Sequence, residues 1–204
     1  MDTVTTPLSS PPDGETAHAN GPRLAGDLAI WFFLLAELLA FGVFFAAYAF
    51  ARAKNIDLFA AEQAALNRNA GAINTVLLLT ASYFVVRAVQ AAEACAPRQC
   101  ANWLLGAILT GFGFVIVKLS EYSAAFEHNI SLSSSTFHMF YLSLTFFHFM
   151  HVILGLVILT AMWNGARQGR YRPGEMNGLE TGAAYWHMVD LVWLILFPLV
   201  YVIH

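Results

Sequence analysis

The sequence predicts an all-α, polytopic membrane protein, a bundle of five transmembrane helices, and three observations carry that prediction. The 204-residue chain is 58% hydrophobic and 11% charged, whereas a soluble domain is about 45–50% apolar and roughly one quarter charged. Its apolar residues are gathered into long blocks instead of being spread along the chain. Within the blocks the apolar run is continuous and lacks the alternation of a membrane β-barrel. The same arithmetic excludes other classes. A net charge of −3 with 10 Lys plus Arg leaves no basic footprint for nucleic acid. Two cysteines cannot build a disulfide scaffold.

Residues 1–26 stand apart. They are rich in Thr, Ser, Pro and Gly, with Pro7, Pro11, Pro12 and Pro22, and read as a disordered tail. The tail lacks the basic start and apolar core of a secretory signal, so the first span is expected to direct insertion. Residues 27–204 form the transmembrane domain, with helices expected at about 28–51, 70–91, 102–122, 136–164 and 181–204. A helix rises about 1.5 Å per residue and needs roughly 20 residues to cross the hydrocarbon. The blocks Leu28–Phe50, Phe137–Trp163 and Ala183–Ile203 meet that length alone. Ile73–Val86 and Trp103–Val117 need polar ends, and Arg87 and Lys118 have long enough stems to supply them. The connections Ala51–Asn69, Glu93–Ala101, Asn129–Thr136 and Asn164–Glu180 read as loops.

Basic residues set the orientation. Arg23, Arg87, Arg98, Arg167, Arg170 and Arg172 collect at one end, against Arg52, Lys54, Arg68 and Lys118 at the other. The amino terminus is therefore expected in the cytoplasm and the carboxyl terminus outside, in a bacterial inner membrane. Cys95 and Cys100 then face a reducing compartment and read as free thiols.

Ionisable groups inside the spans are the candidate functional residues, because each is costly in hydrocarbon. Glu37 lies near the middle of the first span. It must be protonated, paired or turned to a polar cavity, and it reads as a proton-handling or lipid-cleft residue, or as a packing bond to a neighbouring helix. His148 and His151 are one turn apart on one helix face. They could bind metal or haem, but a haem with two imidazoles takes them from different helices, so two neutral imidazoles bonded across helices is the favoured reading. His187 and Asp190 share the same spacing and read as a polar clasp. Lys118 and Glu121 pair locally and let their helix run to the interface. Trp31, Trp186 and Trp193 read as packing or interface anchors. His138 and His204 read as interface residues, and Glu127 and His128 as solvated. Gly106, Gly111 and Gly113 permit close helix contact. No metal site is expected, and no soluble-enzyme motif is present.

Four segments resemble one family. They are W-F-F-L-L-A-E-L-L-A-F-G-V-F-F-A-A-Y (Trp31–Tyr48), K-L-S-E-Y (Lys118–Tyr122), F-F-H-F-M-H-V-I-L-G (Phe146–Gly155) and Y-W-H-M-V-D-L-V-W (Tyr185–Trp193). In this order they are similar to the carboxylate helix, the S-E-Y element, the F-H-G-L-H-V-x-x-G element and the W-H-F-V-D-V-V-W ending of haem-copper oxidase subunit III, over about 27–204. Phe149 and Met150 stand where the family has Gly-Leu, a departure that bears on local packing and docking. Length and the Asn74–Ser82 stretch look most like the short five-helix bacterial branch, NorE-like and associated with nitric oxide reductase.

The resemblance implies a non-catalytic accessory subunit with no cofactor of its own. Haem and copper would sit in the partner, subunit I with subunit II nearby, or in nitric oxide reductase subunits. It implies bound phospholipid, support of proton uptake and turnover, Glu37 facing the lipid cleft, and a polar interior of His148, His151, His187, Asp190 and Glu121. Two readings from other classes compete: a small haem b electron carrier using the histidines, and a proton-coupled transporter centred on Glu37.

Overall fold

A computed structural model describes residues 28–127, 131, 133–171 and 174–203. The expected disordered tail and the readings of His128 and His204 lie outside the described residues. The elements are α1 (Leu28–Lys54), α2 (Ile56–Ala64), α3 (Arg68–Glu93), α4 (Pro97–Glu127), α5 (Thr136–Arg167) and α6 (Asn177–Phe197), then a π-helical turn at Pro198–Val202. All but α2 and the turn are long; five helices are long and apolar enough to cross a membrane, the last running from Asn177 through Val202.

Three of the differences from the sequence expectation have a clear local reason. The connection after α1 contains a further helix, α2. Its Phe59 and Gln63, one turn apart, are buried, and Phe59 packs edge-on against Tyr48 and Phe137 at 5.4 Å. Helix α4 begins at Pro97 instead of near 102. Proline suits a first helical position, since its missing N–H would be unpaired there anyway. Cys100 is thereby buried inside α4, while Cys95 sits in the preceding turn with φ of 55°. The last helix changes register at Pro198, which cannot donate a backbone hydrogen bond and crowds the preceding turn. The Ile203 N–H then reaches the Pro198 carbonyl at 2.9 Å.

Local signals account for the other ends. Ser135 caps α5 by accepting from the His138 N–H at 3.1 Å, and Asn67 caps α3 by accepting from the Ala70 N–H at 3.2 Å. Helix α5 stops at Gly169, whose φ of 66° suits a left-handed cap.

Helices α3 to α6 form the tightly packed body, with α3 against α4 and α6, and α5 between α4 and α6. Helix α1 leans on α5 and α6 along one stripe, Leu34, Phe41 and Tyr48. The rest of α1 (Phe32, Leu35, Leu39, Val43) is exposed, as suits a helix bathed in acyl chains. Glycines set the closest approaches. The Trp186 ring slots between Gly111 of α4 and Gly155 of α5, where an added Cβ would meet it at 2.9 Å on either side. Gly106 faces Phe84 of α3 at 3.1 Å, whereas Gly113 has ordinary space, 3.5 Å from Leu77.

Candidate functional site

Helix α1 brings one polar group to the body. Glu37 lies one turn after Leu34 on the buried stripe, and its Oε2 is 3.1 Å from His151 Nε2 on α5. The contact is half-sheltered, with 12% of the His151 side chain and 23% of the Glu37 side chain exposed. Phe147 and Phe41 flank the imidazole at 4.7 and 5.3 Å between ring centres. His151 Nδ1 is 2.8 Å from the Phe147 carbonyl. A carbonyl only accepts, so Nδ1 carries a hydrogen, and one further proton is shared between Nε2 and the Glu37 carboxyl. The pair is thus either imidazolium with carboxylate or imidazole with carboxylic acid, and in both forms one hydrogen bond joins α1 to α5. Next to it, the Tyr185 hydroxyl of α6 donates to the His151 carbonyl at 3.3 Å.

The H-x-x-H pair does not act together. His148 is fully buried, with Trp193 and Phe114 at 5.2 and 5.9 Å between ring centres. Neither of its ring nitrogens has a partner among the described residues. The expectation of two imidazoles bonded across helices therefore describes His151 and not His148. The reason is the roughly 100° turn per residue, which over three residues leaves the two rings some 60° apart around the helix.

His187 and Asp190 of α6 do not clasp one another. His187 turns to Ser82 of α3, its Nδ1 2.6 Å from Ser82 Oγ. Asp190 Oδ1 has no partner among the described residues. A neutral hydroxyl, inconspicuous in an apolar span, is thus the partner of His187.

Glu121 pairs with Lys118 at 2.9 Å, the local pairing expected, but the lysine turns into the bundle. Lys118 is fully buried, its ammonium also donates to the Tyr201 hydroxyl at 2.8 Å, and the rings of Tyr122, Tyr141, Trp193 and Tyr201 surround it at 5.3–5.5 Å. Trp193 is correspondingly a central residue, not an interface anchor, and its indole N–H donates to Thr75 Oγ1 at 3.0 Å. Trp186 is also buried, whereas Trp31 is 40% exposed at the start of α1. Sequence reasoning paired Lys118 with Glu121 but missed its burial, and it missed Ser82 and Asn74, the last buried with both amide atoms unpartnered among the described residues. A signal existed for Lys118: it continues the α4 stripe of Gly111, Phe114 and Tyr122. Phe149, the residue that departs from the family pattern, is accommodated by packing on Tyr122 at 5.8 Å.

Among the described residues no three His, Cys, Asp or Glu side chains are grouped so as to hold a metal ion. What the geometry offers chemically is hydrogen bonding and proton sharing between helices.

A family model described as "Cytochrome c oxidase subunit III" matches residues 15–204, extending the resemblance into the tail. A cytochrome c oxidase subunit 3 of Thermostichus vulcanus is 29% identical over 177 residues, covering 86% of each chain. A probable cytochrome c oxidase subunit 3 of Nocardia farcinica is 29% identical over 202 residues, 97% of this chain and 98% of its own. A heme-copper oxidase subunit I+III of Aeropyrum pernix is 29% identical over 199 residues, 93% of this chain and 24% of its own. A helical body with membrane-length spans, matched almost from end to end, belongs to the cytochrome c oxidase subunit III family of the haem-copper oxidases, and the chain is a multi-pass membrane protein.

Proposed function

We propose that this chain is the non-catalytic subunit III of a bacterial haem-copper terminal oxidase, docked on subunit I and sustaining its proton uptake and turnover. The observation that carries the reading is the Aeropyrum pernix relative, in which a counterpart of this chain is covalently joined to a subunit I. The donor set agrees with it. His151 is committed to Glu37 and the Phe147 carbonyl, and His187 to Ser82. His148 is left as a single buried imidazole packed by rings, where a haem carrier needs two facing ligands. Haem and copper belong, on this reading, to the partner.

Phospholipid is the second part of the proposal. Where α4 begins and α5 ends, a cavity of about 580 Å³ is lined by Arg98, Asn102, Leu105, Trp163, Arg167 and Gln168. Two guanidinium groups above an apolar wall suit a lipid phosphate with its chain directed into the bilayer. Glu37 is assigned to a lipid-facing cleft, where its partial exposure leaves it open to the partner or to lipid. The end carrying Arg87, Arg98, Arg167 and Arg170 is assigned to the cytoplasm. Burial of Lys118 removes it from the count of flanking charges at the other end.

The test is to strip this subunit from the purified complex and follow oxygen consumption. Haem content and initial rate are expected to be retained, while activity decays faster during turnover and anionic lipid is lost. Unchanged durability after removal contradicts the function. In Arg98→Ala/Arg167→Ala complexes, lipid retention equal to wild type contradicts the lipid site.

A further inference from the structure

The Lys118–Glu121 pair takes no part in joining α1 to the body, and nothing in the proposed function uses it. An ammonium in the interior of a membrane bundle is costly unless its hydrogens and charge are answered. Here Glu121 Oε2 accepts at 2.9 Å and Tyr201 at 2.8 Å, and aromatic faces close the remaining sides. Glu121 is differently placed. Its Oε1 accepts from the Tyr201 hydroxyl at 3.4 Å, and 9% of its side chain is exposed. That exposure is toward a cavity of about 300 Å³ shared by Glu121 with Asn67, Ala70, Ser120, Ala124, His138 and Tyr141. The cavity has room for several waters and polar groups to hold them. His138 leads outward from it. Its Nδ1 is 3.3 Å from Glu62 Oε2 and 2.9 Å from the Ser135 hydroxyl, at the end of the bundle where α2 lies.

We propose that this cavity is a water-filled inlet, and that Glu121, held beside Lys118, is a proton-binding site inside the bundle that exchanges with the aqueous phase at the α2 end. A hydronium in the cavity gives its proton to a Glu121 carboxylate oxygen and becomes water; the reverse step returns it. The Lys118 ammonium, which donates to Glu121 and to Tyr201, favours the carboxylate form. The titratable groups facing the site are Lys118 and Tyr122 from α4, His138, Tyr141 and His148 from α5, Glu62 from α2 by way of His138, and Tyr201 from the π-helical turn. Helix α6 contributes the Trp193 ring, and α3 lines the cavity with Ala70. The site stands apart from the Glu37–His151 contact, because His151 Nδ1 is closed off by the Phe147 carbonyl.

The experiment uses the full chain in lipid nanodiscs. In a Cys95→Ser/Cys100→Ala background, Ala124→Cys is compared with Ile116→Cys, which lies on the lipid-exposed face of α4. A charged thiol reagent attacks thiolates, which apolar surroundings suppress, so position 124 is expected to react about tenfold faster or more. Infrared titration is expected to show a protonated-carboxyl band that Glu121→Gln removes. Lys118→Met moves that band to higher pH, since the carboxylate loses its cation. Ala124→Phe, which fills the inlet and spares the pair, is expected to slow hydrogen–deuterium exchange of the band. Equal labelling at 124 and 116, a titrating band untouched by Glu121→Gln, or unchanged exchange in Ala124→Phe each overturns the proposal.

Discussion

At the scale of single residues, Glu37, Lys118 and His187 are held by bonds to other elements, and the removal of such groups has graded costs. Glu37→Gln keeps a group that can bond His151 Nε2 and is expected to assemble normally. Glu37→Leu leaves that nitrogen without its partner and is expected to cost about 1–3 kcal/mol, read as a lower Tm of the purified chain; equal melting of the two variants would show that the bond contributes nothing. Lys118 and Glu121 form a buried pair, and removing one partner strands the other. Lys118→Met is therefore expected to cost about 3–5 kcal/mol, and Lys118→Met/Glu121→Leu appreciably less. A double variant as unstable as the sum of the singles would refute the pairing argument. Which polar residues matter was legible in the spans, because Glu37, Glu121, His148, His151, His187 and Asp190 are the ionisable interruptions in apolar runs. Their partners were not. Spacing of three residues suggests a partner on the same helix, yet His187 bonds to Ser82, 105 residues away in sequence. A hydroxyl carries no charge to mark it, and Lys118 resembled an interface lysine because its aromatic surroundings come mostly from outside its own helix, from α5, α6 and the π-helical turn.

At the scale of elements, hydropathy located the spans and missed what proline and short amphipathic runs do at their ends. The α2 helix has too few residues to register as a block. Its reason for forming is tertiary: Phe59 fills a ring cluster, and Gln63 Nε2 donates to the Val200 carbonyl at 2.8 Å, one of the carbonyls a helix end leaves unpaired. Small residues decide how closely α4, α5 and α6 approach. Gly155→Ala places a methyl 2.9 Å from the Trp186 ring and is expected to destabilise the chain by about 1–3 kcal/mol through overpacking. Gly113→Ala, with 3.5 Å to its nearest neighbour, is expected to be neutral or stabilising, since alanine loses less entropy in a helix. Thermal melting of the two variants in one detergent separates them, and an inverted order would contradict the packing described. The sequence marked Gly113 and Gly111 alike; only the register of α4 against α6 distinguishes them.

At the scale of the whole molecule, α3 to α6 make the packed body, while α1 stands largely bare with one half-sheltered carboxyl. Family and fold class were readable from four motifs in order, because those motifs are the segments where polar residues meet inside the bundle. The partner was not readable from physics alone, since a lipid-covered face and a subunit-covered face have the same apolar composition. The decisive experiment is to purify the tagged chain from its native membranes in mild detergent and record an optical spectrum of the product. A haem-copper subunit I is expected in the preparation, with a haem spectrum that departs with it and leaves the isolated chain colourless. A chain recovered without any haem-copper partner, one accompanied by nitric oxide reductase subunits instead, or one with a Soret band of its own would contradict the proposed function.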